Sequence, residues 1–269
     1  MTRVRLTSLL LGGLLVLTGR VGAAGLSVDD VVPNFIGLGV GSTTQWHGSQ
    51  DRMVGAMPGA RIKLQGSRFV EWYGPYVGLN LLEDDNGWEA GPLLNVRLGR
   101  EGVDDPVVAQ LPEIGLGLEA GGFVAWHHAR LTGIPYRLRL GLMASHAVLG
   151  QTEGTQLTPY ASLWVPLSEQ LFIGSGLGAT WASQSFMQQY FGVSPAAAEA
   201  SGLPSFQADA GFRQIYWWPG VLWRIHPRWM LGAGAYGQYL VGDAADSPII
   251  RERGDRWQWT FGLGLGYLW

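Results

Sequence analysis

Three histidines and one serine are the residues of this sequence best suited to catalysis or metal binding. His127, His128 and His146 offer imidazole ligands, and Ser145 beside His146 has the composition of a hydrolase pair. In a strand, successive residues point to opposite faces, so His127 and His128 cannot bind one ion and Ser145 cannot reach His146. We therefore predict a protein that is not an enzyme, with no catalytic residue, no metal site and no cofactor.

A glycine motif has the spacing of a nucleotide site, but its surroundings do not fit one. The stretch GAGAYG, Gly232 to Gly237, matches the G-x-G-x-x-G of dinucleotide-binding proteins. That motif requires a turn into a helix whose N-terminus faces the phosphates. Here the following residues, QYLVGD, continue as a strand. We interpret the glycines as structural residues that face a crowded interior.

The composition is typical of a surface that lies only partly in water. Charged residues make up 14% of the 269 residues and 41 are glycine, whereas soluble domains average roughly 25% charged residues and about 7% glycine. The formal net charge of −3 becomes −6 if Arg3, Arg5 and Arg20 leave with a leader peptide. This mild acidity argues against nucleic acid as a partner, because nucleic acids select basic faces. The chain has no cysteine, so disulfides do not hold the fold.

The N-terminus is typical of an export signal. Arg3 and Arg5 form a positive region, LLLGGLLVL is an apolar stretch, and VGAAG offers small residues for cleavage after Ala24. The apolar stretch is too short for a spanning helix, which needs about 20 residues. We predict a signal peptide over residues 1–24 and a single domain over residues 25–269.

Beyond the signal, apolar and polar residues alternate in segments of about ten residues, the pattern of a transmembrane β-strand. In segment 88–98, Trp88 and Leu94 share one face, whereas Glu89 and Arg97 share the other. The other segments of this kind are 54–64, 114–126, 136–146, 157–167, 171–181, 206–218, 229–241 and 257–269. We predict that the apolar face of each segment meets lipid and that the polar and glycine-rich face lines a lumen.

The last segment indicates what surrounds the apolar face. Trp257 and Trp259 lie at one end and Tyr267 and Trp269 at the other, where amphipathic rings sit at headgroup depth. Lipid offers no hydrogen-bond partner to backbone groups, so spanning strands must close into a barrel. The predicted fold is therefore all-β, a transmembrane antiparallel up-and-down β-barrel.

The strand count depends on one stretch, RFVEWYGPYVGLNLL. It fits either two short strands around Gly74–Pro75 or one long strand. Twelve strands are predicted, and ten are the alternative, because bacterial single-chain barrels have an even number of strands.

The breaks between segments fall into two groups. SEQ at 168–170 and HPR at 226–228 are short polar turns, expected on the periplasmic side. Longer breaks, expected outside the cell, are 42–53, 99–113, 183–205 and 242–255.

One long break contains a predicted short helix in an extracellular loop. Ser194 is its N-cap, Pro195 its first residue and Gly202 the residue that ends it. A helix this short is marginal in water unless it packs on something. We predict that the segment from Tyr190 to Phe206 is an ordered lid on the barrel mouth. It is either a plug that stabilises the barrel, which we favour, or a gate or partner site. Its predicted anchors are Tyr190, Phe191, Leu203 and Phe206.

Several charged residues fall on the faces predicted to line the lumen. They are Arg61, Lys63, Arg97, Glu119, Arg137, Arg139, Asp209 and Arg213. Such residues form either the selectivity lining of an open pore or ion pairs that fill the lumen. In a barrel this small, side chains nearly fill the interior, which favours a blocked or narrow lumen.

Four stretches resemble the MipA/OmpV family of outer-membrane proteins. YFGVSPAAAEASGLPSFQADAG, from Tyr190 to Gly211, is similar to the hallmark segment of the family. VGDAADSPII, from Val241 to Ile250, is similar to its Gly-Asp-Ala-x-x-Ser-Pro loop. AGPLLNVRLGR and WHGSQD resemble a Gly-Pro…Gly-Arg strand and an aromatic-x-Gly-Ser motif. The sequence departs from the family at Trp46, where Tyr is commoner, and its terminal Trp269 departs from the Phe with which outer-membrane barrels usually end.

The resemblance implies an outer-membrane β-barrel whose best-known role is scaffolding. It implies two partners on the periplasmic side, a lytic transglycosylase and a murein synthase, besides the lipid of the outer membrane. Other members are linked to adhesion, osmotic adaptation or passage of small solutes, and no catalytic residue is associated with the family. We therefore predict an exported, non-enzymatic scaffold of the cell outer membrane. The alternative is a narrow channel or an adhesin, and the residues that bind a partner are not identified.

Overall fold

The computed structural model describes residues 33–84, 86–130 and 132–269, and these form one closed antiparallel barrel. The predicted signal peptide, residues 1–24, lies outside the described residues. The strands of the described part are β1 (Phe35–Thr44), β2 (Arg52–Lys63), β3 (Phe69–Tyr73), β4 (Tyr76–Asn80), β5 (Trp88–Arg97), β6 (Gly117–Arg130), β7 (Tyr136–Gly150), β8 (Thr155–Pro166), β9 (Leu171–Ala182), β10 (Gly211–His226), β11 (Trp229–Leu240) and β12 (Trp257–Leu268). Each strand pairs with its neighbours in the chain, and β1 pairs with β12. The predicted twelve-strand barrel is confirmed.

The alternation along each strand separates a lipid-facing surface from a lumen-facing surface, as predicted. Val54 in β2 and Leu263 in β12 point outward and are 70% and 58% exposed. Glu89 in β5 and Glu119 in β6 point inward and are 2% and 1% exposed. Apolar residues thus lie outside and charged residues inside, the reverse of a water-soluble barrel.

The closing seam between β1 and β12 is built from glycines that face one another. Gly37, Gly39 and Gly41 pair with Gly266, Gly264 and Gly262. A Cβ added at Gly39 would lie 2.6 Å from the carbonyl oxygen of Leu263 and 3.1 Å from the Cα of Gly264. Any side chain here would push the two strands apart, so glycine is required at this close approach.

The ambiguous stretch forms two short strands, β3 and β4, joined by a turn at Gly74–Pro75. The ten-strand alternative is therefore wrong. β3 pairs with β2 only between Gly59 and Lys63. The hairpin thus fills only the lower part of the wall between β2 and β5.

The two ends of the barrel differ in the length of their connections. One end, here called the inner mouth, carries the start of β1, the end of β12 and short turns such as 167–170 and 227–228. The other end, the outer mouth, carries the longer segments 98–116, 183–210 and 241–256. Long loops lie outside the cell in such barrels, which assigns the orientation.

Two predicted boundaries shift because residues of the loops pair among themselves. The segment predicted at 206–218 is β10, which begins at Gly211 and continues to His226. Phe206 instead forms an isolated bridge with Val193. The segment predicted from 114 begins as a strand at Gly117, because Ile114 bridges to Arg100.

The described part of the chain contains more helix than the one short helix predicted. Its α-helices are α1 (Gln184–Phe191), α2 (Pro195–Ser201), α3 (Gly242–Asp246) and α4 (Pro248–Arg253), with a 3-10 helix at Val108–Gln110. The predicted helix is α2, and the Ser194 hydroxyl accepts a hydrogen bond from the backbone N–H of Ala197, as expected for its N-cap. None of the helices in the described ranges is long and apolar enough to cross a membrane.

Replacing Leu263 with Arg is expected to destabilise the folded barrel by about 2–4 kcal/mol, because the charge would face the middle of the hydrocarbon. Unfolding by urea in lipid vesicles measures the loss, and the band shift on gels between boiled and unboiled samples reports folding.

The matched control is Arg at the neighbouring Gly262, which faces the lumen. A Cβ at Gly262 would lie 3.0 Å from the Sδ of Met57, a flexible side chain. The loss of stability from Arg at Gly262 therefore depends on how far the Met57 side chain can move. Equal tolerance of Arg at Leu263 and at Gly262 would contradict the assigned faces.

Candidate functional site

The upper part of the lumen is organised around a buried carboxylate on β6. Glu119 accepts hydrogen bonds from both Nε and Nη2 of Arg97, at 3.1 and 2.8 Å. Asn95 and Ser145 also donate to it, each at 3.1 Å, and Gln156 donates at 2.7 Å. These donors come from β5, β7 and β8, so a single carboxylate links four consecutive strands across the lumen.

A second cluster lies below the first and contains two more carboxylates. Glu89 lies 3.0 Å from Arg137 and 2.7 Å from Arg139, and His127 Nδ1 is 3.0 Å away on its other side. Arg139 also reaches Glu71 on β3 at 3.3 Å. Arg139 thus connects β7 to both β5 and β3, across the width of the lumen.

Aromatic side chains pack around this second cluster. The guanidinium of Arg139 lies 5.5 Å from the ring centre of Phe123 and 5.7 Å from that of Tyr160. Leu93, Phe123 and Ala125 are buried together there. Charges that are paired, stacked on rings and out of water hold neighbouring strands in place. This half of the lumen, from β5 to β8, is therefore packed and not a hydrated selectivity lining.

The charges predicted to face inward are distributed as follows. Arg97, Glu119, Arg137 and Arg139 lie in the two clusters. Arg213 donates to Gln156 and Gln214 at 2.9 and 2.6 Å. Arg61 lies over the ring of Phe69 at 4.2 Å. Lys63 is the last residue of β2, at the inner mouth.

The prediction for Asp209 is wrong. Asp209 precedes β10 and lies at the outer mouth, where its backbone N–H donates to the carboxylate of Asp243 at 2.7 Å. The error follows from the late start of β10. Glu71, which binds Arg139, was not predicted to face inward, whereas the alternation in segment 88–98 had placed Glu89 on the lumen face. The alternation in FVEWY, with Glu71 flanked by outward Val70 and Trp72, is the signal that marks Glu71 as inward.

The structure places the histidines on opposite faces, as predicted. His127 points inward to Glu89, whereas His128 lies outside between the rings of Trp126 and Tyr136, at 5.8 and 5.9 Å. In the described ranges, no group of three or more His, Cys, Asp or Glu residues could hold a metal ion.

The proposed hydrolase pair is also separated by the wall. Ser145 donates inward to Glu119, while His146 Nδ1 lies 2.8 Å from the hydroxyl of Thr155. The GAGAYG glycines lie within β11, which is continuous strand to Leu240. Neither motif has the geometry of a catalytic or nucleotide site.

The outer mouth is closed by a hydrophobic core built from the loops, here called the outer core. Its buried members are Trp46, Val108, Leu111, Ile114, Ala182, Phe186, Met187, Tyr190, Phe191, Val193, Ala197, Leu203, Ala208, Leu240, Ala244, Ala245, Ile249 and Ile250. The members come from every long loop and from the strand ends beside them. The predicted anchors Tyr190, Phe191 and Leu203 are buried, and Phe206 packs against them. The predicted ordered lid is confirmed as part of this larger core.

Helix α1, which the sequence did not predict, is the centre of the outer core. Phe186 and Tyr190 lie one helical turn apart and stack with ring centres 4.5 Å apart. Phe186 faces the lumen, where the guanidiniums of Arg97 and Arg213 lie over its ring at 5.8 and 5.3 Å. The outer core and the upper lumen cluster are thus in direct contact.

Polar bonds tie the loops of the outer core to one another. Ser247 donates to the carbonyl of Phe191 at 2.6 Å. Arg100 donates to the carbonyls of Tyr190 and Pro112 at 3.1 and 3.2 Å. Burial lowers the pKa of Arg100 to about 10. Its guanidinium remains charged at neutral pH and secures the hallmark segment to loop 98–116.

A neutral histidine lies beneath these loops. His47 packs edge-on against Tyr190 with ring centres 5.4 Å apart. Burial lowers its pKa well below the ordinary value, and the positive charges of Arg213 and Arg97 lower it further. His47 is therefore uncharged at neutral pH and packs as an aromatic side chain against Tyr190 and Phe191 of the outer core.

A closed antiparallel barrel with an apolar outer face, a charged interior and long loops at one mouth is an outer-membrane β-barrel protein. The family described as MltA-interacting protein MipA matches residues 36–269. The chain belongs to the MipA family, as its motifs predicted.

Several solved outer-membrane proteins are similar to this chain over most of its length, at low sequence identity. The COG4313 outer membrane channel from Pseudomonas putida F1 is 12% identical with a TM-score of 0.46, over 88% of this chain and 97% of that one. The NanC porin is 10% identical with a TM-score of 0.40, over 87% and 100%. OmpT of Vibrio cholerae is 8% identical with a TM-score of 0.38, over 88% and 97%. A search of curated proteins finds no match to the sequence.

Replacing Glu119 with Gln is expected to destabilise the barrel by about 3–5 kcal/mol, because Arg97 would lose its buried counter-charge. The control is Glu83→Gln, which removes the exposed partner of Arg68 and is expected to cost at most about 1 kcal/mol. Urea unfolding in vesicles measures both. A cost for Glu119→Gln no larger than that for Glu83→Gln would contradict the bracing role of the cluster.

Replacing Asp105 with Asn is expected to loosen the loop that carries the 3-10 helix. Asp105 accepts bonds from the N–H groups of Val107 and Val108 at 2.9 Å and pairs with Arg253 at 2.7 Å. Hydrogen exchange of the Val107 and Val108 amides measures the change, expected as an increase of roughly two- to fivefold for a partly exposed pair.

The same carboxylate gives the wild-type loop a pH dependence. Burial raises the pKa of Asp105, but the hydrogen bond from Arg253 and the backbone N–H groups outweigh it, so the net pKa is lowered. A lowered pKa stabilises the folded loop above the ordinary aspartate pKa, and the contribution is lost as pH falls through the lowered value. In the wild type, faster exchange of the Val107 and Val108 amides is therefore expected only at pH values below the ordinary aspartate pKa. In Asp105→Asn, faster exchange of these amides is expected at neutral pH as well. Equal exchange in the two proteins at neutral pH would contradict this role.

Proposed function

We propose that this chain is a non-enzymatic docking protein of the outer membrane that holds a lytic transglycosylase at its periplasmic end. The description of its family, MltA-interacting protein, supports this class of partner. Export through the signal peptide at residues 1–24, which leaves the domain 25–269, is part of the proposal. A murein synthase is the second proposed partner, which the barrel would hold near the first.

The observation that carries the proposal is the closure of the outer mouth. The outer core buries Phe186, Met187 and Phe191 completely, and the lumen beneath it is linked by Glu119 and Arg97. A wide aqueous pore needs an open mouth and a hydrated lumen. A barrel that is closed above and braced inside has the rigidity of a docking platform.

The inner mouth offers the surface that such a partner would meet. Ile134, at the tip of the β6–β7 turn, is 76% exposed, more than any other large apolar side chain in the described ranges. Arg130 in the same turn donates to the carbonyl of Thr132 at 2.9 Å, which keeps the turn in shape. An exposed apolar residue on a short, ordered turn is suited to act as an anchor for a protein partner.

The test is retention of a purified lytic transglycosylase on a column that carries the detergent-solubilised protein. Wild type is expected to retain the enzyme, and Ile134→Glu is expected to lose retention, because a charge replaces the apolar anchor. Glu199→Arg, on exposed α2 at the outer mouth, is the matched control and is expected to retain the enzyme fully.

Three results would contradict the proposal. The first is that the wild type does not retain the transglycosylase. The second is that Glu199→Arg loses the transglycosylase while Ile134→Glu retains it. The third is that the protein shows steady conductance in planar bilayers and does not retain the transglycosylase. The last result favours the narrow channel. The gel shift on boiling verifies that each variant is folded.

A further inference from the structure

The barrel wall has a gap beside β2, here called the notch. It is bounded by the β2 edge from Arg52 to Met57, by the turn at Gly74–Pro75, and by the end of β5, where the Val96 N–H donates to the Pro75 carbonyl at 2.9 Å. β2 pairs with β1 from Arg52 to Arg61. On its other side, pairing with β3 begins only at Gly59. The turn closes the lower end of the notch, since the Gly74 N–H donates to the Pro58 carbonyl at 2.9 Å.

The orientation of the Pro58 carbonyl shows which backbone groups face the notch. Residues two apart in a strand direct their N–H and C=O groups to the same side. Ala56 and Val54 therefore direct theirs into the notch, as Pro58 does. Within the described ranges, no strand pairs with this side of Val54 or Ala56, and no residue there donates to or accepts from these groups.

The notch lies in the part of the wall that faces lipid. Val54 pairs with Ser42, which pairs with Phe261 of β12. Val54 itself is 70% exposed, and Val96, on the β5 side, is also exposed. Unpaired backbone at membrane depth is stable only when protein or a water-filled cavity borders it. The notch therefore needs either an occupant or access to lumenal water.

The inner side of the notch opens on space. Met53, Gly55 and Met57 point into the lumen, and both methionines are partly exposed. A Cβ added at Gly55 would meet no atom within 4 Å. The lumen wall that continues from here is glycine-rich on β1 and β12, in contrast to the charged side between β5 and β8. The outer core lies above this space, and the notch is its border on the side of β2.

We propose that the notch is a lateral opening through which an amphiphile from the bilayer enters the lumen. Its hydrocarbon chain lies along Met53 and Met57, whose flexible thioether side chains adapt to varied apolar shapes. Its polar head bonds the free backbone groups of Val54 and Ala56. The occupant follows from continuity with the lipid-facing surface: apolar residues on both sides of the notch place it in the bilayer. Above the turn, β3 and β4 are absent beside β2, and the width of two strands, roughly 10 Å, admits a lipid chain but no folded domain.

The experiment uses the full barrel in phosphatidylethanolamine–phosphatidylglycerol vesicles that contain a long-chain fatty acid carrying a diazirine. After illumination, mass spectrometry locates the adducts. Labelling is expected at Met53 and Met57, besides lipid-facing residues such as Leu263. Met230 faces the lumen on β11 and is buried, so it serves as the unlabelled reference.

Gly55→Trp is expected to fill the inner side of the notch and abolish labelling of Met53 and Met57 while Leu263 stays labelled. Gly211→Trp is the matched control, because a Cβ at Gly211 also meets no atom within 4 Å but the residue lies at the start of β10. It is expected to leave all labelling unchanged, and the gel shift on boiling reports folding of both variants.

Two results would overturn the proposal. Labelling of Met53 and Met57 no stronger than that of Met230 would show that the notch does not admit the fatty acid. In a second experiment, cross-links to a second chain from photo-methionine incorporated at Met53 and Met57 would show that a protein strand covers the edge. Neither result depends on whether a transglycosylase binds at the inner mouth.

Discussion

The constraint on which the structure depends is that backbone groups inside a bilayer must find hydrogen-bond partners within the protein. An antiparallel sheet meets this demand only if it has no free edges, so β1 must pair with β12. The opposed glycines at that seam, such as Gly39 and Gly264, let the two strands approach closely. A sheet that closes on itself has an outer face toward lipid, an inner face around a lumen, and a mouth at each end. Here the outer face is apolar, the lumen is charged, and the loops cover the outer mouth with the outer core.

Closure creates an interior that must be filled, and the two sides of this barrel fill it differently. From β5 to β8 the lumen holds carboxylates shared among arginines, with Glu119 and Glu89 at the centres. Along β1, β2 and β12 small residues leave space. The outer core lies above both sides and meets the charged side through Phe186. Rigidity and open volume are therefore separated within one lumen, so the proposed docking of a partner and the proposed entry of an amphiphile would use different parts of the molecule.

The strands could be predicted because their signal is local. Alternation with a period of two assigns a face to each residue from its immediate neighbours, as at Trp88 and Glu89. The helices of the outer core were largely missed, because α1 is short and is held by packing around Phe186 and Tyr190 more than by caps. The helix that begins after Ser194 was predicted because its capping residues, Ser194 and Gly202, can be recognised from the sequence.

The sequence by itself determined that strands would cross a membrane and which faces would meet lipid, because both depend on local alternation. Only the tertiary structure decided which charges would meet. Arg97 binds Glu119, and Arg139 reaches both Glu89 and Glu71, through the register between strands. It also decided that β3 and β4 would stop short, so that in the described part of the chain no strand pairs with the side of Val54 and Ala56 that faces away from β1. Register and strand length relative to a neighbour are relations between distant segments, and a pattern with a period of two does not encode them.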